Sequence, residues 1–174
     1  RGGPGGAPRR GGVGWRGGQG GGGWPVGGAG AENSPAWLLV VWRGGGPHPG
    51  RATVALGINS DHVILDDVWG WRADHGVPGS FGWAVNTAET GLLVNGDYVT
   101  AIGLFVEHFQ RHNVIWNGEH GTTIFFQHEL PYDPPSQAAW NEGSSELGWA
   151  AYKVADGVKT HELWGGGVYV FNQD

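Results

Sequence analysis

The stretch Leu92-Leu93-Val94-Asn95-Gly96-Asp97-Tyr98 decides the fold, because the chain carries it in three versions. The other two are Leu56-Gly57-Ile58-Asn59-Ser60-Asp61-His62 and Val114-Ile115-Trp116-Asn117-Gly118-Glu119-His120. In each, two apolar residues two apart lead into Asn, a small residue and an acid, the pattern of a strand entering a tight turn. The Asn positions are 36 and then 22 residues apart (95 − 59 and 117 − 95). A degenerate copy, Tyr152-Lys153-Val154-Ala155-Asp156-Gly157-Val158, is placed 37 residues beyond the third. A unit of 22 residues built from short apolar runs and turns matches one coil of a right-handed parallel β-helix. The longer intervals then contain that unit plus insertions of 14 and 15 residues.

The register this implies is specific. Val63, Leu65 and Val68 correspond to Val99, Ala101 and Leu104, and the next coil offers Gly121, Thr123 and Phe126. The fold class is therefore all-β: a right-handed parallel β-helix of about three to four coils with two inserted loops. A leucine-rich repeat would show a Leu-rich consensus and helical segments, which are missing. A β-sandwich, also made of short strands and regular turns, is the structural alternative. Each coil of a solenoid is buried by its neighbours, so so few coils predict that the protein continues on both sides. The absence of any Met, even at position 1, points the same way, to a fragment or processed product.

Composition divides the chain in two. Residues 1–30 hold 16 of the 36 Gly, and residues 1–50 carry five Arg against Glu32 alone. The rest has five Lys and Arg against 15 acids, a net of −10. Residues 1–46, with few side chains to bury, are expected to be a disordered Gly/Arg-rich segment, either a flexible linker or a frame translated out of register, and 47–174 a partial β-helix domain. The Arg-Gly-Gly triplets at Arg1, Arg10, Arg16 and Arg43 lack interleaved Phe or Tyr, and the remainder is acidic, so no nucleic-acid partner is expected. The lack of Cys excludes disulfide scaffolds, zinc ribbons and thiol enzymes, and no apolar run is long enough to span a bilayer. No membrane partner is expected.

The run Asn59-Ser-Asp-His-Val-Ile-Leu-Asp-Asp-Val-Trp-Gly-Trp-Arg-Ala-Asp-His75, with Asn95-Gly-Asp97, Leu104-Phe-Val-Glu-His108, Trp116-Asn-Gly-Glu119 and Pro131-Tyr-Asp-Pro-Pro135, resembles a family of large secreted actinobacterial and fungal proteins. These often carry labels such as coagulation factor 5/8 type domain protein or adenylyl cyclase. They are similar to pectate-lyase-like β-helices and to the β-1,3-glucanases of glycoside hydrolase family 55. The resemblance covers roughly residues 47–172 and implies an extracellular, carbohydrate-active β-helix. It assigns no catalytic residue.

Candidate chemistry comes from stacking the coils. Residues at one offset from the anchor lie about 4.8 Å apart along the axis, and twelve residues after each Asn come Trp71, Glu107 and Glu129. Two carboxylates on adjacent rungs raise one another's proton affinity, as an acid/base pair requires. Both insertions leave at the same corner, as roughly 74–88 and 132–147, and would wall a cleft floored by the coil of Glu107, His108 and Gln110. Exposed indoles such as Trp83 and Trp140 on those loops would offer flat apolar faces to sugars. The catalytic candidates are thus Glu107 and Glu129, with Asp74 competing. Trp71, Arg72, His75, Trp83, His108, Gln110 and Trp140 are the substrate-binding candidates. Asp61, Asp97 and Glu119, which follow Asn at the turn, read as turn formers. No metal ligand set and no cofactor is assigned.

The expected function is hydrolysis of a polysaccharide, a glucan, by paired carboxylates in a loop-walled cleft. Its alternatives are a non-catalytic glycan-binding or adhesive β-helix and a polysaccharide lyase. The negative charge disfavours an anionic uronate substrate. The expected partner is a glycan alone, with the chain a monomer as part of a larger protein.

Overall fold

A computed structural model describes residues 50–171 and, ahead of them, the backbone of two short strands. Among the described residues there are eleven strands: β1 (Trp24–Val26), β2 (Pro35–Trp37), β3 (Ala52–Ile58), β4 (Ile64–Asp66), β5 (Trp69–Trp71), β6 (Ala88–Val94), β7 (Thr100–Glu107), β8 (Val114–Trp116), β9 (Gly121–Glu129), β10 (Tyr152–Val154) and β11 (His161–Tyr169). They form two parallel sheets, β1-β3-β6-β8-β10 and β11-β9-β7-β4-β2, with β5 also on β7. Apart from β4 and β5, which both pair with β7, successive strands alternate between the sheets, and each pairs with the strand one coil away, which makes a parallel β-helix.

The repeat register holds in the ladders. Leu65 pairs with Ala101 and Ala101 with Thr123, while Leu104 pairs with Phe126. These side chains point inward and are buried, as are Val63, Val68 and Val99. Ile58, Val94 and Trp116, the residues before each Asn, close the other side of the core at 0% exposure. The degenerate copy is shifted by one residue from its expected place. Val154 pairs with Trp116, an interval of 38 (154 − 116) rather than 37, so Ala155 occupies the Asn position. The ladder hydrogen bonds, blind to side-chain type, fix the count where the signature has faded.

The turn signature is itself a ladder. Asn95 Nδ2 donates to Asn59 Oδ1 at 2.7 Å and Asn117 Nδ2 to Asn95 Oδ1 at 2.8 Å. Asp61 and Asp97 each accept the backbone N–H one coil on, from Asp97 and Glu119, both at 2.8 Å. Glu119 does the same for Lys159 and Thr160. A Cβ on Gly96 would lie 2.0 Å from Ser60 O, and one on Gly118 1.8 Å from Gly96 O, so stacking of the turns demands glycine there. His62, Tyr98 and His120 then take left-handed φ of 56°, 55° and 54° and stack their rings at 4.9 and 4.5 Å.

A second ladder bends each strand of the other sheet. Asp67, Gly103, Phe125 and Gly165 all have left-handed φ, between 51° and 69°. The bend sets the face pattern beyond it, with Val68, Leu104 and Phe126 inward and Trp69, Phe105 and Gln127 outward. β1 and β2 pair in parallel register with β3 and β4 and lie within residues 1–46. The rest of that segment, expected to be disordered, lies outside the described residues.

Candidate active site

Beyond the bend, alternation carries Trp69, Phe105 and Gln127 to the outer face, and two residues later Trp71, Glu107 and Glu129. Trp71 pairs with Glu107 in the β5–β7 ladder. The offset of 22 residues between β7 and β9 sets Glu129 on the next rung, where its carbonyl accepts from His108 N at 3.0 Å. The two carboxylates expected to neighbour each other do so. Glu107 is the buried one, at 6% exposure, and the Glu129 side chain remains 33% exposed.

The environments of the pair differ. Burial pushes the Glu107 carboxyl above its ordinary value, and the Glu129 charge adds to this. Hydrogen bonds from Trp69 Nε1, at 2.8 Å, and from Gln127 act the other way without cancelling it. Glu129 accepts a hydrogen bond from the Tyr132 hydroxyl. Burial first, then Glu129, pushes the Tyr132 phenol up, so it stays a donor across the ordinary pH range.

His108 joins the third candidate acid to this pair. Its left-handed backbone (φ 64°) turns the ring under the sheet edge, where Nδ1 meets Leu130 O at 3.0 Å. Nε2 then faces Glu129 Oε2 at 3.5 Å and Asp74 Oδ2 at 3.8 Å. Asp74, its side chain 8% exposed, is also bonded to His75 Nδ1 at 2.8 Å. Tyr132 meets the His108 ring edge-on. Among the described residues no group of three or more His, Asp or Glu side chains forms a metal-ligand set.

The remaining candidates divide. Trp71 meets the His75 ring in a tilted contact at 5.0 Å beside the pair. Arg72, read as a group that orients substrate, is fully buried: it pairs with Asp133, donates through Nε to His108 O at 2.5 Å and lies over the Trp83 ring at 5.6 Å. It thereby ties the first coil to both insertions, and its charge is committed internally. Gln110 is likewise occupied at both ends of its amide, accepting from Ala88 N at 3.0 Å and donating to Trp83 O at 2.6 Å. It anchors the first insertion. Trp140 packs against Gly148 within its own insertion, whose one-turn helix (Gln137–Ala139) is capped by Ser136.

Four residues at the site were not singled out from sequence. Trp69 and Gln127 stand two positions before Trp71 and Glu129, so extending the same offset by one strand period finds them. Tyr132 and Asp133 open the second insertion, and no periodicity reaches them.

Comparison with known proteins agrees with this architecture. The family model for the LAM55 pectate lyase-like domain matches residues 17–129, more than half of the chain. The chain belongs to this family. The match includes both carboxylates and β1 to β9, and starts inside the Gly-rich segment. An exo-β-1,3-glucanase of Streptomyces sp. (strain SirexAA-E / ActE) is 50% identical over 141 residues, 81% of this LAM55-type chain and 23% of the glucanase. The solved structure of sacteLam55A from Streptomyces sp. SirexAA-E is similar at 52% identity and a TM-score of 0.67, covering 71% of this chain and 22% of that one. A point variant of sacteLam55A in complex with glucose matches with a TM-score of 0.68 and the same identity and coverage. The chain thus spans under a quarter of the length of the relatives it matches.

Proposed function

We propose that the chain is part of an extracellular β-1,3-glucan hydrolase in which Glu107 is the proton donor and Glu129 the ionised partner. The observation that carries this is the asymmetry of the pair: Glu107 is buried with its carboxyl pushed up, beside the more exposed, Tyr132-bonded Glu129. A buried, raised carboxyl beside a more exposed neighbour is what an acid and its base or nucleophile need. The kinship with an exo-β-1,3-glucanase supplies the substrate class.

In this reading the proton of Glu107 passes to the glycosidic oxygen as the C–O bond to the anomeric carbon breaks. Glu129, on the adjacent rung about 4.8 Å along the axis at the backbone, is read as the nucleophile of a retaining pair, whose carboxyls stand roughly 5 Å apart. Its carboxylate bonds to the anomeric carbon, and water, deprotonated by Glu107, later displaces it. His108 and Tyr132 hold Glu129 in place, and Asp74 balances His108 from the other side.

The test is reducing-sugar release from a linear β-1,3-glucan by the full-length protein. Glu107→Gln and Glu129→Gln are each expected to lower kcat by at least about 100-fold, the scale of a lost acid–base group. An unsaturated product absorbing in the near ultraviolet would assign a lyase instead. Glycan binding without turnover would assign an adhesive module.

A further inference from the structure

The outer face of the second sheet carries a groove that the carboxylate pair does not use. It is lined by Asp67, Trp69, Phe105 and Gln127. Trp69 and Phe105 are ladder partners, as are Phe105 and Gln127, so these three form one stripe across three coils. Phe125 extends the wall, its ring edge-on to Phe105 at 5.7 Å and 56% exposed.

Two features distinguish this stripe from incidental surface. The first is Phe125 itself, held at φ 62°, where bulky residues are rare and the same bend uses Gly103 and Gly165 in neighbouring coils. The backbone is strained and the ring is in solvent, a combination that adds nothing to the core. The second is continuity with the site. Trp69 Nε1 and the Gln127 amide, both in the groove wall, are also hydrogen-bonded to Glu107.

Resting on the hydrolase reading above, we propose that this groove is a binding subsite for a neutral glucopyranose unit of the glucan, stacked on Phe105 and Phe125 and adjacent to the unit attacked at Glu107. β-Glucose presents axial C–H bonds on its faces, which pack on aromatic rings, and equatorial hydroxyls at its rim. Asp67, exposed at the groove edge, and Gln127 supply hydrogen-bonding groups for that rim. With the exposed Asp67 carboxylate on one side, the groove disfavours a uronate and fits an uncharged sugar. Trp69 has a double part: it walls the subsite and holds the Glu107 carboxyl, making it a positioning residue through which occupancy reaches the acid.

The experiment separates binding from turnover. In full-length Glu107→Gln protein, where hydrolysis is suppressed, a β-1,3-linked glucotriose is titrated by calorimetry, with glucose and a galacturonate trimer as controls. Phe125→Gly relieves the left-handed strain while removing the ring, so the fold is kept; Phe105→Ala removes the central ring. Trisaccharide affinity is expected to fall about 3-fold for Phe125→Gly and about 10-fold or more for Phe105→Ala, the range for lost ring stacking. In otherwise wild-type protein, KM should rise with kcat little changed for Phe125→Gly. Unchanged trisaccharide affinity in both variants, or equal binding of the galacturonate trimer, would overturn the subsite. Loss of binding without any turnover in the wild type would keep the subsite and sink the hydrolase.

Discussion

At the scale of single residues, burial and charge set two opposite pH dependences. His128 is fully buried beneath the site, its Nδ1 on Val106 O at 2.7 Å, and burial lowers its pKa from 6.5 to about 4. Between those values the unfolded chain binds more protons than the folded one, so stability falls as pH drops from 6.5 toward 4. The loss is on the order of 3 kcal/mol, and His128→Gln should flatten that part of a Tm-versus-pH curve. Glu107 runs the other way. Its raised carboxyl favours the fold at low pH and costs stability as pH rises through the folded-state value. Glu107→Gln, which still accepts from Trp69, should therefore raise Tm at neutral pH while abolishing hydrolysis; an unchanged or lower Tm would mean that the carboxylate is not held against its solvation preference.

At the scale of elements, the stacked turns and the buried Arg72 carry the constraints. Gly118→Ala would drive a methyl into Gly96 O, a backbone atom with nowhere to retreat, and should cost about 3 kcal/mol or more. An unchanged denaturant midpoint for this variant would mean that the turns separate without cost. Arg72→Ala leaves Asp133 without its partner and frees both insertions, at about 3–5 kcal/mol for a broken buried pair. Hydrogen exchange should speed in residues 74–88 and 132–147 together; if only one loop loosens, Arg72 is not their common anchor. These elements also mark what sequence can reveal. The turn ladder was legible because three Asn repeat with a small residue and an acid behind them. The bend at Asp67, Gly103, Phe125 and Gly165 was not, since four residue types share only a backbone conformation. Offset counting found Glu107 beside Glu129 because ladder partners inherit the repeat. It could not find Arg72–Asp133, which joins a coil to an insertion 61 residues away.

At the scale of the whole molecule, the last described coil presents its interior and its edge at once. β11 pairs with β9 along one side, and among the described residues its other side meets no strand. Trp164, Val168 and Tyr169 are 58–63% exposed, in a strand of nine residues with three Gly and no Pro, and Phe171 just beyond it is 60% exposed. A long apolar edge of this kind is a template for further pairing. In the LAM55 relatives this chain matches only 22–23% of the length, so most of their sequence is available to cover such a surface. The chain of 174 residues made alone should therefore associate with itself in a concentration-dependent way, read by sedimentation velocity. Trp164→Lys with Tyr169→Lys, which share the outward rows of Ile124 and Glu129, should shift it toward monomer without lowering the Tm of the preceding coils. Self-association unaffected by both lysines would move the contact elsewhere, with the aromatic stripe at Phe105 and Phe125 next to be tested.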